Sequence, residues 1–139
     1  MHQSKGPSQE RRAIFELLEN EDTVDDFFAR CADDVRWTLI GQHPLAGDYQ
    51  SKDEFVPATI GKVRPLLSGG LHFKIKGLYG DDEVAIVEMD GVATAADGRP
   101  YDPFYVWICR FEGDTIVEVH AYVDSSVVND ILERLAPES

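Results

Sequence analysis

The sequence predicts an α+β domain whose N-terminal helices pack on the concave face of a curved, mainly antiparallel sheet. Three observations predict it. The hydrophobic period changes once along the chain, from helical spacing to alternation, at Ser68-Gly69-Gly70. The elements follow one order: helices, a short strand, a helix, then a run of strands joined by hairpin-type connections. The chain of 139 residues, 43% of them hydrophobic, can bury about two-thirds of its unfolded surface, which needs no disulfide or metal staple. One domain over residues 1–139 is expected, with 1–7 disordered.

Each element has its own signal. Ser8 is placed to cap a first helix, with Glu10 at its positive end, Ile14, Phe15, Leu17 and Leu18 at helical spacing, and a stop near Asn20. Thr23 with Asp26 resembles a capping box for a second short helix whose apolar side is Val24, Phe27, Phe28 and Cys31. Val35 to Ile40 reads as a strand, closed by the loop Gly41-Gln42-His43-Pro44-Leu45-Ala46-Gly47. Ser51-x-x-Glu54 is a capping box that opens a third helix running to about Leu67, limited by Pro57 and Pro65. Leu71, Phe73 and Ile75 then alternate with His72, Lys74 and Lys76, as in a strand with one buried face. Further strands are expected near 83–95, 103–112 and 115–124, and a last helix from Ser125 to about Leu135.

Charge and composition exclude several functions. Thirteen Lys and Arg against 26 Asp and Glu give a net charge of −13, which repels nucleic acid and anionic membrane surfaces. The longest apolar run, Phe104 to Cys109, is too short to cross a bilayer. No secretory or lipidation signal stands at either end, so a cytoplasmic protein is expected. Cys31 and Cys109 make no disulfide framework and no metal-ligand spacing, and read as reduced core thiols. With no phosphate-binding Gly loop, nucleophile elbow or His-Glu-x-x-His, no metal and no cofactor is expected. The expected partners are a small apolar ligand and a second copy of the chain, because one layer of helices covers only one side of a sheet.

The candidate chemistry lies on the late strands and one loop. Glu118, His120, Tyr122 and Asp124 share one face of a strand, which is either a site or a wet surface. At about 3.3 Å per residue His120 and Asp124 stand about 13 Å apart, whereas Glu118 and His120, about 6.6 Å apart, are close enough to interact. Tyr105 and Trp107 also share a face and, with Trp37, are either core aromatics or the wall of a ligand cavity. Asp90 and Glu88 share a face as candidate second carboxylates or as solvated acids. His43 stands in a loop suited to a pocket rim, with a backbone-bonded turn histidine as the alternative.

The order of elements together with Trp37, Gly41-x-His43-Pro44-Leu45-Ala46-Gly47, Tyr101-x-x-x-Tyr105-x-Trp107 and Ile116-x-Glu118-x-x-x-Tyr122-x-Asp124 resembles the nuclear transport factor 2-like superfamily, in its SnoaL-like, ketosteroid-isomerase-related branch. The resemblance runs from about Ser8 to Leu135 and implies a cone-shaped fold with a ligand cavity. Its catalytic residues transfer only in part. Phe15, Leu39 and Trp107 stand where ketosteroid isomerases carry a Tyr, a proton-moving Asp and an oxyanion-hole Asp, and cannot do that chemistry. Against the Asp-Arg-Asp relay of limonene-type epoxide hydrolases the chain offers Glu88, Asp90 and Ala121, which breaks the relay. The SnoaL-like cyclase pattern I-x-E-x-W-x-x-x-D is matched from Ile116 to Asp124, with His120 in place of Trp, and implies Asp124 as general base. The branch also leads one to expect an Asn before the strand aromatics, where Pro103 stands. The resemblance thus implies binding of a small apolar molecule in a cavity that includes Trp37, Tyr105, Trp107, Tyr122 and Asp90. The enzymatic reading is a cofactor-free isomerase, cyclase or hydrolase with Asp124 as base and His43 or His120 assisting. The alternative is a non-catalytic ligand-binding or dimerisation module of the same fold.

Overall fold

Ser8 does what its position predicts: its hydroxyl accepts from the Arg11 amide at 3.2 Å and starts helix α1, Gln9–Glu16, which a 3₁₀ turn extends to Glu19. The computed structural model describes residues 6–136. Residues 1–5 of the stretch expected to be disordered lie outside them, while Pro7 is placed and buried. Helix α2, Val24–Ala29, follows without the expected Thr23–Asp26 capping box. The Thr23 hydroxyl instead donates to the Leu17 carbonyl at 2.7 Å, which ties α2 back to the preceding turn.

Strand β1, Cys31–Ile40, starts earlier than its alternation suggests, because Cys31 already pairs with Ile116 before a bulge that ends at Arg36. From the last residue of the stretch that reads as loop, a short β2, Gly47–Tyr49, returns antiparallel along β1, with Trp37 opposite Tyr49. Ser51 and Glu54 cap helix α3, Lys52–Ala58: the Ser51 hydroxyl accepts from the Glu54 amide at 3.1 Å, and the Glu54 carboxylate accepts from the Gln50 amide at 2.6 Å. The single helix expected to reach Leu67 is broken at Thr59 (φ −121°, ψ −81°) into α3, a one-turn α4, Ile60–Val63, and a 3₁₀ turn, Arg64–Leu66. Pro57 and Pro65 each remove an amide from this ladder, and the chain resolves the loss by turning rather than running straight.

After Gly70 the alternation becomes strands: β3, His72–Gly80; β4, Val84–Thr94; β5, Pro100–Tyr101; β6, Phe104–Glu112; and β7, Thr115–Val123. The sheet order is β2-β1-β7-β6-β4-β3, with β5 attached to β4. The strands after residue 70 pair antiparallel, as expected, and the one parallel pair among the described residues joins β1 to β7. Helix α5, Ser125–Leu135, closes the described chain. No described helix is long and apolar enough to cross a membrane.

The inner face of this curved mixed sheet carries Val35, Trp37, Val87, Met89, Trp107, Cys109, Val119 and Ala121, all buried against Phe15 and Leu18, Phe27 and Phe28 of α2, and Phe55 of α3. Arg11 seals the closed end of the fold. Its guanidinium donates to the carbonyls of Asp82 (3.1 Å) and Gly113 (2.9 Å), pairs with Asp114 at 3.4 Å and lies 3.8 Å over the Phe111 ring. One buried cation therefore joins α1 to the β3–β4 and β6–β7 turns. Cys31 and Cys109 are buried free thiols, and burial pushes the Cys31 thiol up to about 12 and Cys109 well above the ordinary range.

Candidate functional site

At the open end, between the helices and the inner sheet face, lies a cavity of about 70 Å³. Its wall is an aromatic array. Trp37 stacks on Phe55 at 4.2 Å and 6°, meets Trp107 edge-on at 5.0 Å, and Phe73 bridges Trp107 to Tyr105. Three of the aromatics singled out in the sequence, Trp37, Tyr105 and Trp107, therefore line it. Phe28, Phe55 and Phe73 join them from α2, α3 and β3. Leu39, Leu45, Val63 and Val128 fill the spaces between, so the lining is overwhelmingly apolar.

His43 is a buried polar group of this wall, 9% exposed. Its Nδ1 accepts the Leu45 amide at 3.2 Å, which leaves the proton of the neutral ring on Nε2. That Nε2 is buried and has no hydrogen-bond partner among the described residues. Desolvation holds the imidazole pKa below its ordinary 6.5, so the ring is neutral at pH 7. His43 is thus a turn histidine bonded to backbone through Nδ1, and its ring is part of the cavity lining.

The segment that carries His43 is held from α5. The Gln42 amide donates to the Ser125 hydroxyl at 3.0 Å, and the Asn129 side-chain amide donates to the Gln42 carbonyl at 2.7 Å. Gly41 (φ +154°) permits this approach. A Cβ there would fall 2.6 Å from Ser125 Oγ and 2.8 Å from His43 Cδ2, so a side chain would displace the imidazole.

Two phenols complete the polar set. Tyr101 of β5 and Tyr105 of β6 have neighbouring hydroxyls, and burial raises both pKa values, that of Tyr105 well above the usual 10. They are neutral O–H groups at any physiological pH. Thr59 also borders the cavity, its hydroxyl donating to the Phe55 carbonyl at 2.7 Å. Arg64 stands at the edge, where it donates to Asp25 at 2.7 Å. No Asp or Glu lines the cavity among the described residues.

The remaining predicted site residues lie elsewhere, and strand parity is the reason. Trp107 is opposite Ala121 and Tyr105 opposite Val123, so Ala121 and Val123 point into the cavity. The alternate positions Glu118, His120 and Tyr122 occupy the outer face, where Tyr122 is 42% exposed. The expected placement of Tyr122 and Asp124 beside the cavity aromatics is thereby corrected. Asp124 is the exposed N-cap of α5, its carboxylate accepting from the Ser126 hydroxyl at 2.9 Å. His120 meets Glu118 at 3.4 Å, within the reach that strand spacing allowed, and Glu118 binds Arg110 at 3.1 Å and Arg36 at 3.7 Å. The Arg110 hydrogen bond, ahead of the other charges, holds the Glu118 carboxyl below its ordinary range. Asp90 also faces outward, 3.6 Å from Lys76, and Glu88 accepts from the Tyr79 hydroxyl at 3.0 Å. Among the described residues no three His, Cys, Asp or Glu side chains converge to ligate a metal.

Sequence reasoning missed Tyr101, Thr59 and Arg64. Tyr101 stands in the quoted aromatic motif, but its facing is set by the pairing of β5 with Ala93 of β4. Thr59 and Arg64 gave no signal, because a continuous helix was expected where the chain breaks and turns inward.

Comparisons with known proteins agree with this architecture. The chain is 29% identical over 119 residues to the dimerizing cyclase phiC of Fungal sp. (strain ATCC 74256), a match covering 83% of this chain and 52% of that protein. The chain thus spans about half the length of the curated relative it matches. Its fold matches the crystal structures of an NTF2-like protein from Burkholderia thailandensis E264 (TM-score 0.70, 20% identity, 88% of this chain and 95% of that one). It also matches one from Burkholderia pseudomallei K96243 (TM-score 0.67, 23% identity, 94% and 96%). The family model described as SnoaL-like domain matches residues 12–119, from α1 into β7, and on that match this chain belongs to the SnoaL-like domain family.

Proposed function

We propose that the chain binds a small, largely apolar carbonyl compound in the aromatic cavity and promotes a cofactor-free cyclisation of it, with His43 polarising the carbonyl oxygen. The observation that carries this reading is the buried Nε2–H of His43, a donor without a partner among the described residues in a largely apolar wall. A buried donor left unmade costs about 1–3 kcal/mol, and a ligand oxygen would recover that cost. Because Nδ1 is occupied by the Leu45 amide, His43 acts as a neutral electrophile rather than as a base. The Tyr101 and Tyr105 hydroxyls add neutral donors for charge that develops on oxygen. The aromatic wall fixes the reacting conformation and excludes water. In the cyclisation an enol carbon of the ligand bonds to the polarised carbonyl carbon, the carbonyl π pair moves onto its oxygen, and the proton lost by the enol oxygen ends on that oxygen, so the step balances with the donors present. The kinship with a protein named a dimerizing cyclase supports the same class.

The absence of a carboxylate from the described lining favours one other reading, a binding module without turnover. Infrared spectroscopy of bound acetophenone bears on both. The carbonyl stretch is expected at lower frequency in the wild type than in His43→Phe. Equal frequencies with equal binding would remove His43 as the polarising group and leave the binding module.

We also propose a homodimer through the outer sheet face. Phe104, Val106, Ile108 and Tyr122 form an apolar strip there, and no described helix covers it. Sedimentation at micromolar concentration is expected to give twice the chain mass; a mass near 15.6 kDa would contradict it.

A further inference from the structure

The charge pattern around the cavity is the reverse of the charge pattern of the chain. The sequence carries 26 acidic against 13 basic residues, yet the described cavity lining holds no carboxylate and one formally charged side chain, Arg64. Arg64 opens the 3₁₀ turn after α4, and its partner Asp25 lies on α2. Val24 and Phe28 of α2 and Ile60 and Val63 of α4 line the cavity from these two sides, so the Arg64–Asp25 ion pair bridges two elements of its wall.

Arg64 is only partly engaged by that pair. Nη2 donates to Asp25 Oδ1 at 2.7 Å, while Nε and Nη1 make no hydrogen bond among the described residues. The partner is easily displaced: the Asp25 side chain is 74% exposed and keeps its hydration when it lets go, whereas the Arg64 side chain is 39% exposed and half covered by the cavity edge. A guanidinium in that state has a planar fork of donors free for a second carboxylate, and the apolar wall beside it strengthens the contact by excluding water.

We propose that the ligand of this cavity is an amphipathic monoanion, its apolar body among Trp37, Phe55 and Trp107 and its carboxylate or enolate on Arg64, which exchanges Asp25 for the ligand. The proposal rests on the reading of this cavity as a ligand site. A cationic ligand would meet Arg64 with only the exposed Asp25 carboxylate to offset it, and a neutral one would leave the free donors unused. The −13 chain repels anions at long range, so affinity for an anion has to come from this one short-range contact and must disappear with it.

The test uses three probes that share one ring and differ in charge: phenylacetate, 2-phenylethanol and phenethylamine, titrated at pH 7.5 against the fluorescence of Trp37 and Trp107. In the wild type phenylacetate is expected to bind about tenfold more tightly than the alcohol, as for a charge-assisted hydrogen bond, with the amine weakest. In Arg64→Gln the affinity ratio of acid to alcohol should fall to about one, with alcohol binding in the same variant as the reading of the cavity itself. In Asp25→Asn the acid should bind more tightly than in the wild type, because its competitor is gone. Acid and alcohol binding equally in the wild type, an acid advantage that persists in Arg64→Gln, or unchanged acid affinity in Asp25→Asn would each overturn the proposal and leave the cavity as a site for neutral guests. No response to any of the three would overturn the ligand-site reading itself, and the anion assignment with it.

Discussion

The amide of Leu45 donates to Nδ1 of His43 at 3.2 Å, and this contact decides which imidazole nitrogen carries the proton of the neutral ring. It fixes the neutral Nε2–H tautomer two residues upstream of its donor, so the turn Gly41–Leu45 sets the site's chemistry as well as its shape.

His43 makes stability depend on pH with a definite sign. Burial lowers its folded pKa below the ordinary 6.5, so the unfolded chain takes up the proton first as pH falls. The stability associated with the neutral ring is complete above about pH 6.5 and declines as pH drops toward the lowered folded value. Urea midpoints are expected to fall more between pH 7.5 and 5.5 in the wild type than in His43→Gln. An equal fall in both proteins would show that the ring titrates as it does in water.

Gly41→Ala tests the support of that ring. The new Cβ would fall within 3 Å of Ser125 Oγ and of the imidazole, at a φ of +154° that side chains rarely adopt. A loss of about 1–3 kcal/mol in stability is expected. The His43 ring resonances should shift in NMR spectra, and acetophenone affinity should drop. An unperturbed imidazole would mean that the contact with Ser125 does not hold the ring.

Much of this fold was legible because period and caps are local. Ser8 and Ser51 cap as their spacing demands, and the alternation from Leu71 onward is the sheet. Strand β2 was not legible, since Gly47-Asp48-Tyr49 has no alternation of its own and becomes strand only by lying along β1. The site divides in the same way. Parity groups Glu118, His120 and Tyr122 together, but which group faces inward is decided by the register of Trp107 with Ala121, a tertiary fact. His43, Trp37, Tyr105 and Trp107 were found because loop position and aromatic spacing are visible in one dimension. Tyr101, Thr59 and Arg64 reach the cavity through a two-residue strand and a broken helix, which pattern alone does not show.

Arg11→Met should be among the more damaging single changes away from the cavity. It removes two hydrogen bonds to the Asp82 and Gly113 carbonyls and the contact over Phe111, at a cost of about 2–4 kcal/mol. Asp114→Asn should cost under about 0.5 kcal/mol, because that carboxylate is 76% exposed. Urea denaturation of the two variants checks the order, and a larger loss in Asp114→Asn would contradict it.

The two thiols should be chemically silent. With Cys31 pushed up to about 12 and Cys109 well above its usual value, native protein is expected to react with Ellman's reagent only as fast as it unfolds, and to release two equivalents in denaturant. Rapid reaction of either thiol in the native protein would contradict their burial.

The central claim is that His43 presents a neutral Nε2–H to a ligand oxygen, and nitrogen-15 NMR of the labelled imidazole tests it most directly. At pH 7.5 the free protein is expected to show a protonated Nε2 and an unprotonated, hydrogen-bonded Nδ1, with the Nε2–H proton moving downfield when acetophenone is added. A ring protonated on Nδ1, or an Nε2–H that does not respond to a guest whose binding the tryptophans report, would contradict it.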